Sequence, residues 1–168
     1  VIKSANYLKN HNEILFLFIG NGPLNTKIRE MGKNYGLKNL KFLPYQKFED
    51  LPQTLTSGDV AVVSTAKNAT SLVSPSKLYG HLASATPVAL ISSEESYIKF
   101  LIEENNCGKW FKNGDFKSLS KWIIKLKNDS QLKKRFSNSA RKLSEKISNP
   151  QDIADKYHQI IINSINKK

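Results

Sequence analysis

Three consecutive pieces of the chain determine its fold: Val60-Ala61-Val62-Val63, then Ser74-Pro75-Ser76-Lys77-Leu78-Tyr79-Gly80, and then Pro87-Val88-Ala89-Leu90-Ile91. The first and last are continuous apolar runs of strand length, typical of parallel strands that helices cover on both faces. Between them, a serine that can cap a helix and a proline at the first helical position predict a helix from Ser74 to Ala85. A strand, a helix and a second strand in this order favour an α/β fold.

The same alternation extends along the chain. The end of a first helix is indicated around Ile2 to Lys9. The predicted strands are 14–19, 40–43, 59–64, 87–91 and 108–111, the last at a sheet edge, and the further predicted helices are 24–35, 48–55, 74–85, 97–104, 116–127, 130–146 and 150–165. We therefore predict an α/β fold with a parallel sheet and helices on both faces, formed by one domain over 1–168 in which 150–168 is a C-terminal helix.

Composition limits the class of protein. The chain has 168 residues, a net charge of +12 and a single cysteine, Cys107. One cysteine excludes an internal disulfide framework and fits a reducing compartment. No apolar run approaches the roughly 20 residues that span a bilayer. Because the chain begins at Val1 with a helix already under way, we expect it to be part of a longer protein.

The positive charge is concentrated in residues 109–146, which hold twelve Lys/Arg and three Asp/Glu. Basic surfaces attract nucleic acid, anionic lipid or phosphorylated ligands. The Lys- and Asn-rich composition of the whole chain also explains this charge without any partner, and both interpretations stay open here.

Ligands of α/β sheets bind beyond the carboxyl ends of the strands. The loops expected there are 20–23, 44–47, 64–76 and 92–96. Gly20, Asn21 and Gly22 would let backbone approach a ligand closely, although a tight turn explains them equally well. Pro44 and Tyr45 could present main-chain groups and an aromatic ring to a flat base, although a proline that ends a strand needs no ligand.

The start of the helix at Ser74 is the strongest candidate for an anion site. Helix N-termini present free N–H groups and the positive end of the helix dipole, which suits a diphosphate. Ser74 and Ser76 lie at this start, and Lys77 adds an ammonium group where the dipole disfavours a cation by ~0.3–1 kcal/mol. An anionic partner explains that lysine; a solvated side chain is the alternative.

Other polar residues give weaker signals. The three histidines and Cys107 lack metal-ligand spacing, so we expect no metal and no cofactor. We expect His81 to serve packing. Glu94 and Glu95, placed early in a helix, could receive sugar hydroxyls. Trp110 and Trp122 are expected in the core.

Several ordered motifs resemble the C-terminal half of family 4 glycosyltransferases of the GT-B fold, in the bacterial branch that builds capsule, O-antigen and colanic-acid-type polysaccharides. The resemblance covers nearly the whole chain. The motifs are Phe18-Ile19-Gly20-Asn21-Gly22-Pro23-Leu24, Gly36-Leu37-Lys38-Asn39-Leu40-Lys41-Phe42-Leu43-Pro44, Val73-Ser74-Pro75-Ser76-Lys77-Leu78-Tyr79-Gly80 running on to Pro87-Val88, Asn106-Cys107-Gly108, Asn113-Gly114-Asp115, and Asn138-Ser139-Ala140-Arg141.

The resemblance implies a Rossmann-like domain, lacking its first strand, that binds a nucleotide-sugar donor, a UDP-sugar. Together with the observations on the residues given above, it leads us to expect donor contacts from the following residues: Gly20, Asn21, Gly22, Pro44, Tyr45, Ser74, Ser76, Lys77, Gly80 and Glu95. Lys77 would stabilise the leaving diphosphate. The family's usual pair of glutamates corresponds to Leu72 and Gly80 here, so ribose must be bound by other groups.

The resemblance also implies partners. The acceptor would be a glycan or a lipid-linked saccharide, and an N-terminal domain of the same protein would hold the acceptor site. We expect a cytoplasmic location, and the positive charge of residues 109–146 leaves the anionic inner face of the plasma membrane open as a further partner. Two alternatives stay open: a sugar-nucleotide epimerase of related architecture, and a nucleic-acid-binding module. Against the second, the aromatic residues are not interleaved with Lys/Arg as stacking platforms are; we expect no nucleic acid.

Overall fold

The computed structural model describes residues 1–66 and 74–165. Its strands are β1 Phe16–Ile19, β2 Leu40–Leu43, β3 Ala61–Ser64, β4 Val88–Ser92 and β5 Gly108–Lys112. Its helices are α1 Ile2–Tyr7, α2 Asn25–Asn34, α3 Leu51–Thr56 (preceded by a 3₁₀ turn, Phe48–Asp50), α4 Ser76–Ala83, α5 Tyr97–Glu104, α6 Phe116–Asn128, α7 Ser130–Ile147 and α8 Pro150–Ile165. Every element predicted from the sequence in these ranges is present.

All strand pairs in the described ranges are parallel, as predicted, but they form two sheets. Strands β3, β4 and β5 lie in that order, so β5 is an edge strand. Strands β1 and β2 form a separate pair in which Phe16 lies opposite Leu40. Parallel strands need helical crossovers, and each of these pairs is joined by one.

Successive residues of β4 point into two different cores. Val88 and Leu90 pack with α4, α5 and α7, whereas Ala89 packs against Phe111 and Trp122 on the α6 side. Because strand side chains alternate between faces, this pattern shows that helices cover both faces of the sheet. The prediction of a doubly covered sheet is confirmed.

A third apolar cluster joins α1 to β1. Its buried members are Ala5, Leu8, Ile14 and Phe16. Ile123 of α6 packs against both this cluster and the core on the α6 side of β4, so α6 links the two sheets.

Burial differs from the sequence prediction at one of the two tryptophans. Trp122 is 5% exposed, as expected. Trp110 is only half-buried: it lies on the edge strand β5 and packs against the core from there, while its indole N–H donates to the Ser92 hydroxyl at 3.0 Å. Helix α8 has no buried residue. Among the described residues, no helix combines the length and the apolar character that crossing a membrane requires.

Candidate functional site

The β1–α2 turn and the loop after β2 form one corner of the carboxyl edge. The Gly20 N–H donates to the Leu43 carbonyl at 3.0 Å, and Asn25 Nδ2 donates to the Gly20 carbonyl at 3.0 Å. Gly20 has a φ of 96°, a left-handed conformation that favours glycine. A Cβ on Gly20 would lie 3.2 Å from Tyr45 Cε1, so the ring lies directly against this glycine. Two loops predicted independently therefore meet.

This corner is open to solvent. The Tyr45 side chain is 76% exposed, and Asn21, Gly22 and Pro44 are exposed too. Nothing lies within 4 Å of the position that a Cβ on Gly22 would take. A flat ring beside an unobstructed glycine backbone can accept a planar group and the chain attached to it.

Helix α4 begins two residues later than predicted. Ser74 does not cap it; Pro75 is the N-cap residue, and no side chain caps the first turn. The reason is that the Ser74 hydroxyl is engaged elsewhere, with Tyr79 and Tyr97. The Leu78 N–H bonds to the Pro75 carbonyl, while the preceding two N–H groups, of Ser76 and Lys77, have no acceptor within the helix.

Lys77 lies in the first turn of α4, as predicted. Its side chain is exposed and forms no ion pair in the described part of the chain. One turn further on, burial lowers the pKa of His81, and the charge of Lys77 lowers it further. His81 is therefore neutral at pH 7, which fits its predicted packing role, and Lys77 remains the cation of this helix start.

Three hydroxyl groups connect the starts of α4 and α5. The Tyr97 hydroxyl donates to Ser74 Oγ at 2.7 Å, and Ser74 Oγ lies 2.9 Å from the Tyr79 hydroxyl. Burial raises the pKa of Tyr97, so its hydroxyl keeps its proton. The Tyr79 hydroxyl also interacts with that of Tyr97, so the three hydroxyls form one hydrogen-bonded cluster between the starts of α4 and α5. Sequence reasoning missed Tyr79 and Tyr97, because only the fold brings these residues together.

The carboxyl ends of the larger sheet carry buried polar atoms. Asn113, after β5, donates through Nδ2 to the Thr65 carbonyl after β3 at 3.2 Å, and thereby reaches across the end of β4. Thr65 Oγ1, Asn113 Oδ1 and Ser96 Oγ are buried and have no hydrogen-bond partner among residues 1–66 and 74–165. Buried polar atoms are rarely left unpaired. This edge of the sheet therefore carries polar atoms whose hydrogen bonds the described residues do not supply.

The remaining predicted residues lie around this edge with different surroundings. A Cβ on Gly80 would lie 3.1 Å from Leu55 Cδ1, so a side chain there would meet α3. Glu94 and Glu95 are exposed and lie in the turn before α5, which begins at Tyr97, rather than early in that helix as predicted. Leu72 falls outside the described residues. Ligand contacts by Gly80, Glu94 and Glu95 stay predictions.

Residues 1–143 match the family described as Glycosyl transferases group 1. The chain belongs to this family, as the sequence motifs indicated. Over 83 residues, which are 49% of the chain and 20% of the relative, it is 34% identical to the putative colanic acid biosynthesis glycosyl transferase WcaI of Escherichia coli K12.

Solved structures share the fold. A TarM variant of S. aureus, crystallised with fondaparinux, α-GlcNAc-glycerol and UDP, superposes with a TM-score of 0.77 at 19% identity, covering 94% of this chain and 31% of TarM. HepE of Anabaena, in complex with UDP-glucose, gives a TM-score of 0.74 at 16% identity, covering 94% of this chain and 44% of HepE. The chain thus spans less than half of each of these relatives.

Proposed function

We propose that this chain is the donor-binding domain of a glycosyltransferase and that its donor is a UDP-sugar. One observation carries the proposal: an exposed ammonium group, Lys77, which forms no ion pair with the described residues, lies in the first turn of a helix without a side-chain cap at the carboxyl edge of a parallel sheet. Free N–H groups, the helix dipole and Lys77 attract a diphosphate. Family membership supports transfer over epimerisation, and UDP or UDP-glucose is present in the TarM and HepE structures.

The proposed reaction breaks the bond between the anomeric carbon and the diphosphate oxygen and forms a bond from that carbon to an acceptor hydroxyl. The bonding electrons leave with the diphosphate, whose negative charge grows in the transition state, and the proton of the acceptor hydroxyl passes to the leaving diphosphate or to water. Lys77 and the N–H groups of Ser76 and Lys77 lie where they can stabilise this growing charge.

The other residues then have distinct roles. Tyr45 and Pro44 flank the base, and the Gly20–Gly22 backbone admits the sugar-diphosphate. Because the glutamate pair is absent, the exposed hydroxyl cluster of Ser74, Tyr79 and Tyr97 is proposed to bind a donor hydroxyl or phosphate oxygen. Glu95 would receive a hydroxyl of the sugar.

The acceptor is proposed to be a growing surface polysaccharide, which is lipid-linked, and to bind on a further domain of the same polypeptide. Helix α8 supports that domain, because it exposes an apolar stripe with helical spacing: Ile153, Tyr157, Ile160, Ile161 and Ile165. Exposed apolar stripes of this kind mark interaction surfaces, and the relatives are much longer than this chain.

Calorimetric titration with UDP and with uridine tests the donor site. Lys77→Ala should weaken UDP binding by about tenfold or more, since hydrogen bonds to charged groups contribute about 1.5–3 kcal/mol, and should leave uridine binding unchanged. Lys38→Ala, which removes an exposed lysine elsewhere, is the control. If both variants bind UDP like the unmodified chain, Lys77 does not hold the diphosphate. A donor sugar that changes configuration without any acceptor would instead indicate the epimerase.

A further inference from the structure

Two asparagines of the chain stand directly before a glycine, Asn21 before Gly22 and Asn113 before Gly114. In such a pair the backbone nitrogen of the glycine can attack the side-chain amide carbon of the asparagine, because glycine has no Cβ to obstruct the approach. The reaction requires an asparagine carboxamide that is free to turn towards the backbone. The two pairs differ in this respect, although they follow the carboxyl ends of β1 and β5 respectively.

The carboxamide of Asn113 is held in place. Its Nδ2 donates to the Thr65 carbonyl at 3.2 Å, and its Oδ1 is buried. Its backbone N–H donates to the Ser92 carbonyl at 3.3 Å. To bring the amide carbon to the Gly114 nitrogen, the side chain would have to give up the hydrogen bond to Thr65 and move its buried oxygen. We therefore expect Asn113 to be unreactive.

Asn21 has none of these restraints. Its side chain is exposed and forms no hydrogen bond with the residues of the two described ranges. The Gly22 N–H, which would supply the attacking nitrogen, likewise has no acceptor among those residues. Gly22 is exposed, and nothing lies within 4 Å of the position that a Cβ would take. Both reacting groups are thus free to meet.

We propose that Asn21 is a site of spontaneous deamidation, which places a carboxylate in the candidate donor site. The Gly22 nitrogen gives its proton to solvent and forms a bond to Asn21 Cγ. The bond from Cγ to Nδ2 breaks, and Nδ2 leaves as ammonia with its own hydrogens and a proton from solvent. Water then opens the cyclic imide: cleavage at Cγ gives aspartate, and cleavage at the main-chain carbonyl carbon gives isoaspartate.

The consequence for the donor rests on the proposed function. Asn21 lies between Gly20, which Tyr45 contacts, and Gly22, in the backbone proposed to admit the sugar-diphosphate. A carboxylate at this position repels the diphosphate, and isoaspartate also lengthens the main chain beside Gly20. Deamidation should therefore convert the site irreversibly into a form that binds the donor more weakly.

Incubation of the purified chain in mildly alkaline buffer, followed by peptide mass spectrometry, tests the reaction without any ligand. Asn21 should be converted several-fold faster than Asn113 in the same molecules, and both aspartate and isoaspartate should form. Gly22→Ala, whose added Cβ meets no neighbour, should slow the conversion of Asn21 several-fold and leave Asn113 unchanged. Equal rates at the two asparagines, or equal rates at Asn21 with and without this substitution, would overturn the proposal.

Asn21→Asp reproduces the aspartate product and tests its effect on the donor. Titration calorimetry should show several-fold weaker UDP binding, a smaller loss for uridine, and a difference from the unmodified chain that shrinks at high salt, because exposed charges are screened. Asn10→Asp, the same change in charge at an exposed position before β1, should keep the UDP affinity. Unaltered UDP binding by Asn21→Asp would overturn the effect on the donor. If the unmodified chain does not bind UDP while Asn21 still converts, the donor proposal fails and the deamidation site stands.

Discussion

Tyr45 lies against Gly20, with its Cε1 atom 3.2 Å from the position that a Cβ on Gly20 would occupy. This contact joins the turn after β1 to the loop after β2 and forms half of the candidate donor site. The other half is the start of α4 with Lys77. Both lie at carboxyl ends of parallel strands, where α/β proteins bind their ligands.

Gly20→Ala should disturb both folding and binding. Its φ of 96° strains any residue with a Cβ, and the added carbon would press on Tyr45. We expect a loss of about 1–2 kcal/mol in the free energy of unfolding together with weaker UDP binding. Gly114→Ala is the control, because Gly114 has a φ of 93° and no neighbour within 4 Å. It should lose similar stability in urea denaturation but keep UDP affinity; equal affinity in both variants would contradict the role of the Gly20–Tyr45 corner.

Much of this fold could be predicted because its strands are short apolar runs and its helices have clear ends. The start of α4 could not, since a serine before a proline is typical of a cap and only the fold shows that Ser74 bonds to Tyr97 instead. The division into two sheets was equally hidden, because strand order depends on contacts between distant residues. The sequence assigned the loops of Gly20 and Tyr45 to the same edge of the sheet, but it did not predict that these two residues are in contact.

Tyr97→Phe tests the hydroxyl cluster. It removes the donor of the 2.7 Å hydrogen bond to Ser74, so the start of α4 loses its connection to α5. We expect a stability loss of about 0.5–1.5 kcal/mol and weaker UDP binding. Tyr157→Phe removes a hydroxyl from the exposed helix α8 and should change neither quantity. Wild-type UDP affinity in the Tyr97 variant would show that the cluster has no part in donor binding.

Gly108 is required by the close approach of β5 to β4. A Cβ at this position would overlap the backbone carbonyl group of Val88. Backbone cannot move aside as a flexible side chain can, so Gly108→Ala should destabilise the chain by about 3 kcal/mol in urea denaturation. At Gly58 the Cβ would meet only the Val60 carbonyl oxygen at 3.6 Å, an ordinary contact. A Gly108→Ala variant no less stable than Gly58→Ala would contradict the observed strand register.

The ion pair between Glu13 and Lys127 predicts a pH dependence. The hydrogen bond from Lys127 is the main cause that lowers the Glu13 pKa from 4.5 to about 2. A carboxylate with a lowered pKa in the folded state contributes stability above its unfolded pKa, and this contribution disappears as the pH falls through the folded value. At pH values above about 4.5, Lys127→Ala should therefore have a lower Tm than the wild type. This difference in Tm should disappear as the pH falls towards 2.

Lys125→Ala is the control for this pH series, because Lys125 is exposed and forms no ion pair in the described part of the chain. This variant keeps the Glu13–Lys127 pair, whose carboxyl has a pKa of about 2. Its Tm difference from the wild type should therefore stay constant between about pH 5 and about pH 2. A Lys127→Ala difference that is constant over the whole range would show that Glu13 is not stabilised by this pair.

The most direct test of the donor site is a titration of the ¹⁵N-labelled chain with UDP, followed by NMR. The account predicts that the largest amide shifts fall on Gly20, Asn21, Gly22, Tyr45, Ser76 and Lys77, and that uridine shifts only the Gly20–Tyr45 corner. Shifts confined to other surfaces, with Ser76 and Lys77 unmoved by UDP, would contradict diphosphate binding at the start of α4.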